Sequence, residues 1–251
     1  MDNVIKKLKE YKTEIDLKNR FNYDFIVSTN IFNSHEIDEL SKATNPYEKN
    51  KKLKWLLSDK YKRESETEEI DFWIINKWGG INGFKPNERN IRKIRSFKTQ
   101  LINKRLTKDS FSTISSLSKL SSFIDPDNFV IYDSRVIYTL NWLILVCENQ
   151  NGFNQKYFPI PKGRNKKISD FDLETIINIS HISEYINKTE LYISQQDAYF
   201  KFCNFVKSNV SEIFSHKSKP FELEMLLFTL ADKEIVEELR RKLKLTIDNE
   251  K

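Results

Sequence analysis

A chain of 251 residues with 42 Lys and Arg against 36 Asp and Glu carries a net charge of +6 and suffices for one large domain or two small ones. Hydrophobic residues make up 39%, with 18 Phe and 10 Tyr, each a large unit of buried area, so disorder of the whole chain is excluded. Five glycines and six prolines are too few for sandwiches, barrels or glycine-punctuated nucleotide folds, and favour helices joined by short polar connections.

Val4, Leu8, Tyr11 and Ile15 recur near helical spacing and predict an amphipathic helix over residues 4–18. Residues 21–33 are β-branched and aromatic without a helical period, and read as extended. Ser34 caps a helix through Leu40. Asn45-Pro46 ends that helix or starts the next turn. Helices are predicted over 49–57 and 66–78, the second with Ile70, Trp73, Ile74 and Trp78 in a stripe and Gly79-Gly80 as its stop. Lys85-Pro86-Asn87 opens a basic helix to about Arg105, with Ile91, Ile94, Phe97 and Leu101 on one face. Asp109 or Ser110 caps a helix carrying Phe111, Ile114, Leu117 and Leu120. Asp125-Pro126-Asp127 is a turn, 129–132 a short extended piece, and Asp133 or Ser134 caps a long helix over 135–147. Residues 149–169 form a loop. Helices follow over 170–187, 195–214 and 220–230, and a charged one over 232–244. The expectation is a single all-α domain, residues 1–251, of roughly nine helices, with at most a short extended segment near the N-terminus.

Cys147 and Cys203 cannot make a disulfide framework or a four-thiolate zinc site. His35, His181 and His216 lack a metal-ligand spacing, so no metal or other cofactor is expected. The N-terminus shows no apolar signal region, and the longest apolar run, 142–147, is far too short to cross a bilayer. A cytoplasmic protein without a membrane partner is expected.

Charge is clustered. Residues 49–62 hold Lys49, Lys51, Lys52, Lys54, Lys60 and Lys62 against Asp59 alone. Residues 89–105 carry Arg89, Arg92, Lys93, Arg95, Lys98, Lys104 and Arg105 without an acid, and 162–167 read Lys-Gly-Arg-Asn-Lys-Lys. Such clusters are the footprint of a polyanion partner, although solvated helix faces in a lysine-rich chain give the same pattern.

Residues 110–145 carry the chemistry. A helix ends in a Pro turn, and an extended piece delivers Asp133 to a helix start, followed by Arg135. Ile131-Tyr132-Asp133-Ser134-Arg135-Val136 resembles the apolar-x-Asp-x-x-Val segment of the helix-hairpin-helix DNA glycosylases. The likeness is greatest to their bacterial branch with the 8-oxoguanine DNA glycosylase fold. It extends loosely to Trp78-Gly79-Gly80-Ile81 and to Phe221-Glu222-Leu223-Glu224-Met225.

The resemblance implies a monomer acting on double-stranded DNA, nucleoid-associated when bound, with Asp133 as the essential acid and Lys119 as the catalytic amine of a hairpin-like segment. In place of the family's glycine hairpin stands Thr113-Ile114-Ser115-Ser116-Leu117-Ser118. There Ser115 and Ser118 would donate to phosphate, joined by Arg135, Arg92, Arg95, Lys162 and Arg164. Trp78, Tyr132 and Trp142 would line the base pocket.

Cleaving an N-glycosidic bond develops positive charge at C1′. A nearby carboxylate stabilises that charge, and an amine can attack the same carbon once the base is out of the stack.

Each residue also has a plainer role open to it. Asp133 is a good N-cap, Lys119 one lysine among many, and Arg135 a partner for Asp127 or Glu148. Trp78 and Trp142 are equally core residues. Tyr157-Phe158 near Lys162 suits stacking on nucleic acid or packing on the domain. Two alternatives to base-excision repair stand beside it: a phage-defence or DNA-binding module keeping the fold without turnover, and a helical protein-interaction domain.

Overall fold

Capping side chains set where the helices begin. Asn45 accepts from the backbone N–H of Glu48 with Pro46 in the first turn, so Asn45-Pro46 opens a helix rather than ending one. The computed structural model describes residues 1–163, 165–184 and 186–244. Its described residues are all-α. The helices of five residues or more are α1 (Asp2–Glu14), α2 (Ser34–Ser41), α3 (Pro46–Arg63), α4 (Glu68–Trp73), α5 (Glu88–Asn103), α6 (Lys108–Ser112), α7 (Ile114–Ile124), α8 (Ser134–Cys147), α9 (Leu173–Ser180), α10 (Gln195–Ile213), α11 (Pro220–Leu230) and α12 (Val236–Lys242). The bridges Gln150–Gly152 and Tyr157–Tyr192 are isolated. Among the described residues no helix is long and apolar enough to cross a membrane.

Several boundaries differ from the sequence reading. The first predicted helix stops at Glu14, and Asp16 caps a separate turn, Leu17–Arg20. The predicted helix carrying Phe111, Ile114, Leu117 and Leu120 is two, broken at Thr113. Around the break the Ser112 hydroxyl donates to Asp109 O at 2.6 Å, a side-chain bond that competes with the helical ladder. The predicted helix over 66–78 finishes in a wider π turn, Ile74–Trp78, closed by Gly79 N to Ile74 O at 2.7 Å. A second π turn, Ala231–Ile235, joins α11 to α12 in one rod. The 170–187 prediction contracts to α9, and the 149–169 loop includes a helical turn, Lys166–Ser169.

One buried apolar cluster runs from Val4 to Leu239. At its centre lies α8, buried from Val136 to Ile144 and packed against α1, α9, α11 and the second π turn. α3 and the first π turn both pack on α7. Residues 21–33 form no strand, but Phe21, Phe25, Ile31 and Phe32 are buried and tie the segment to the core. Asn50 on α3 holds it further, donating to Tyr23 O at 2.7 Å and accepting from Trp78 Nε1 at 2.9 Å.

Candidate functional site

The extended piece before α8 has no sheet neighbour, so side chains satisfy its backbone. Ile131 N donates to Glu224 Oε2 at 3.2 Å and Tyr132 N to Ser118 Oγ at 2.9 Å. This anchoring delivers Asp133 to the start of α8. One carboxylate oxygen, Oδ1, accepts from Arg135 N at 3.0 Å and caps the helix. The other, Oδ2, lies 3.9 Å from Lys119 Nζ. The cap and the contact with Lys119 therefore fall on different oxygens of one carboxylate.

Lys119 sits in the middle of α7 with 7% exposure, and its amine also donates to Ser115 O at 2.8 Å. Its stem passes over Gly79. A Cβ at Gly79 would stand 2.7 Å from Lys119 Cδ and 2.7 Å from Ile75 O, so the close approach requires glycine there. The first π turn thus sets both the aromatic wall and the space for the lysine.

Lys119 and Asp133 open onto a cavity of about 340 Å³, within the range of small-molecule sites. Phe21, Tyr23, Trp78 and Phe228 supply its aromatic lining, and Lys54, Glu224, Met225, Arg135 and Asn165 also line it. Tyr23 and Trp78 meet edge to face at 5.2 Å, and the Tyr23 hydroxyl donates to Trp78 O. Burial first, and the Asp133 charge second, push that hydroxyl up to about 12, so it remains protonated at neutral pH.

Two buried charges complete the wall. Lys54 on α3 is 1% exposed and Glu224 on α11 is 5% exposed, with 3.9 Å between Nζ and Oε2. Burial pushes the Lys54 amine down, opposed by Glu224 and reinforced by Lys119. Burial pushes the Glu224 carboxyl up, opposed chiefly by Lys54.

The site residues expected from the sequence divide. Lys119, Asp133, Arg135 and Trp78 come together on the cavity. Arg135 pairs with Asp232 at 3.2 Å, not with Asp127 or Glu148, and lies over the Phe228 ring at 4.7 Å.

Tyr132 and Trp142 do not line the cavity. They are 0% and 1% exposed in the core, Tyr132 against Phe111, Tyr199 and Phe202. The alternation of the extended piece turns Tyr132 inward as it turns Asp133 to the site. Ser118 is fully buried, its hydroxyl occupied by Tyr132 N, so it braces the Asp133 segment instead of facing a phosphate. The Ser115 hydroxyl is buried too.

Lys162 is exposed on the rim of a neighbouring depression of about 330 Å³ that shares Ser134 and Asn165 with the cavity. The loop approaches so closely that a Cβ at Gly163 would meet Ser134 Oγ at 2.2 Å. Arg164 lies outside the described residues. Tyr157 and Phe158 pack inward, at 0% and 4% exposure.

Arg92 and Arg95 are exposed on α5, away from the cavity lining, and the stretch that lacks acids in sequence gains them in space. Arg92 meets Glu88, Lys93 meets Asp109, Arg95 meets Glu68 and Lys98 meets Asp71, at 3.8, 3.0, 2.5 and 2.6 Å. The lysines of 49–62 are likewise engaged, Lys49 with Asp24, Lys51 with Glu222 and Lys60 with Glu36.

Sequence reasoning missed Lys54, Tyr23 and Phe228 as lining residues. The one signal for Lys54 was its place four residues from Asn50 and three from Leu57, both buried, on the inner face of α3. No protein-family model, no curated protein and no solved structure matches the chain.

Proposed function

We propose that the protein is a DNA N-glycosylase that excises a damaged or modified base, such as 8-oxoguanine, in base-excision repair or phage defence. The observation that carries this reading is the convergence of the Lys119 amine and the Asp133 carboxylate, 3.9 Å apart, on an aromatic-lined cavity. A base extruded from the duplex stacks on such rings and presents C1′ to the cavity mouth.

In the bifunctional course, the neutral Lys119 amine attacks C1′ and the C1′–N bond breaks, its electron pair leaving with the base. Asp133 stabilises the positive charge at C1′. It then takes the proton shed by the new C1′-ammonium and passes it to the departing base. Opening of the sugar ring yields an imine between Lys119 and C1′. Loss of a C2′ proton then expels the 3′-phosphate. In the monofunctional course, Asp133 activates water instead and the strand remains intact with an abasic site.

The test is single-turnover base release from duplexes carrying 8-oxoguanine or hypoxanthine, with borohydride present. Expected is release by the wild type and a covalent protein–DNA adduct that Lys119→Gln abolishes. Release without an adduct selects the water mechanism. DNA binding with no release from either duplex would leave a binding module that keeps the cavity without turnover, and would overturn the enzymatic reading.

A further inference from the structure

Among the described residues, Lys54 Nζ is a buried donor with no hydrogen-bond partner. Its nearest carboxylate, Glu224, is 3.9 Å away, beyond hydrogen-bond length. The amine instead rests over the Phe123 ring at 4.7 Å. Glu224 spends Oε2 on Ile131 N and, like Lys54, lines the cavity. Leaving a buried amine without an acceptor is costly. Such a group in a folded chain calls for a cause. Both residues line the cavity that holds Lys119 and Asp133. An apolar pair in their place would pack with less penalty.

We propose that Lys54 and Glu224 are the specificity-determining pair of this cavity, reading the edge of a bound nucleobase that carries a hydrogen-bond acceptor next to an N–H donor. Lys54 donates to the acceptor, a ring carbonyl or ring nitrogen, and Glu224 Oε1 accepts from the neighbouring N–H. The unpartnered Lys54 amine then gains its missing bond, and the two bonds run side by side to one edge of the base. A base methylated on that donor nitrogen leaves Glu224 unsatisfied and is rejected. The ligand class is therefore a neutral base with an intact edge, oxidised or deaminated, and not one alkylated there. The inference rests on the reading of the cavity as a base pocket.

The test needs no turnover. Free hypoxanthine and 1-methylhypoxanthine, which differ only at the donor nitrogen, are titrated separately into the intact protein. Binding is followed at the indole N–H resonance of Trp78, a cavity residue. Expected is binding of hypoxanthine at least about tenfold tighter than its methylated form, the loss of one hydrogen bond to a charged group. The double variant Lys54→Met/Glu224→Gln keeps an acceptor for Ile131 N and removes both charges together, so it avoids a lone buried charge. It is expected to bind the two bases equally. Equal binding by the wild type, discrimination that survives in the double variant, or no movement of the Trp78 resonance up to the solubility limit of hypoxanthine would each overturn the proposal. Discrimination between the free bases without excision from DNA would retain the reading pair and remove the glycosylase reading, so the two failures are distinct.

Discussion

Along the chain, residues 89–105, most of α5 and the turn after it, are the loudest electrostatic feature, seven cations without an acid. The cavity is nearly silent in sequence, since Lys54 is one lysine of six in its stretch and Glu224 lies in a mostly apolar helix. In space the ranking reverses. Arg92 and Arg95 have side chains 74% and 72% exposed, and their pairs with acids lie in solvent, where an ion pair is worth little. Lys54, Glu224, Lys119 and Asp133 meet within a largely dehydrated wall, where charge is costly to hold and strong in its effect. Linear charge density therefore marks solvated surface here, and the charges that gather on the cavity are ones the sequence hardly marks.

That contrast breaks most directly at Lys54. Lys54→Met strands Glu224, and a buried pair broken on one side costs about 3–5 kcal/mol. The deficit should depend on pH. Burial already raises the Glu224 carboxyl above its ordinary 4.5 against the pull of Lys54, and without Lys54 that opposition is gone. A raised carboxyl contributes stability that is full below 4.5 and lost as pH rises through its folded value. Urea melts at pH 4 and pH 7 should therefore show a small deficit at the first and a large one at the second. Equal deficits would assign the loss to packing alone.

Next in size is Asp133→Asn. Asparagine caps a helix about as well as aspartate, so melting should shift little. Base release should fall by about 10²–10³-fold as the charge near C1′ disappears. A variant that loses stability and keeps its rate would reduce Asp133 to a cap.

A smaller effect is expected at the floor of the site. In Gly79→Ala the new methyl meets Ile75 O and the Lys119 stem, both at 2.7 Å. Overpacking of this kind costs about 1–3 kcal/mol and displaces the amine. Borohydride trapping should fall more than DNA affinity. Unchanged trapping would show that Lys119 reaches its target by another path.

The smallest effects belong to the surface. Arg95→Ala should alter stability by no more than about 0.5 kcal/mol, and should leave the salt dependence of DNA binding unchanged because Arg95 is remote from the cavity lining. Lys162→Ala, on the rim that shares Ser134 and Asn165 with the cavity, should reduce the log–log slope by about 0.9, the share of one phosphate contact. The opposite pattern would return the DNA path to α5.

Local physics was legible from the sequence. Helical periodicity and few glycines or prolines gave an all-α chain, and Asp133 at the head of α8 followed from an acid placed after an extended piece. The placing of Lys119 and Trp78 near Asp133 came from the family resemblance and not from local physics; the 3.9 Å separation and the shared cavity belong to the tertiary structure. Not legible were the break at Thr113, the two π turns, and the inward side of Tyr132 and Ser118. Each depends on which backbone groups find partners from distant segments, as Tyr132 N does in Ser118. The Lys54–Glu224 pair was the least legible of all. Caps and periodicity act over one or two turns, but whether a lysine meets water or a carboxylate from the far end of the chain is decided only when α3, α7 and α11 close around one cavity.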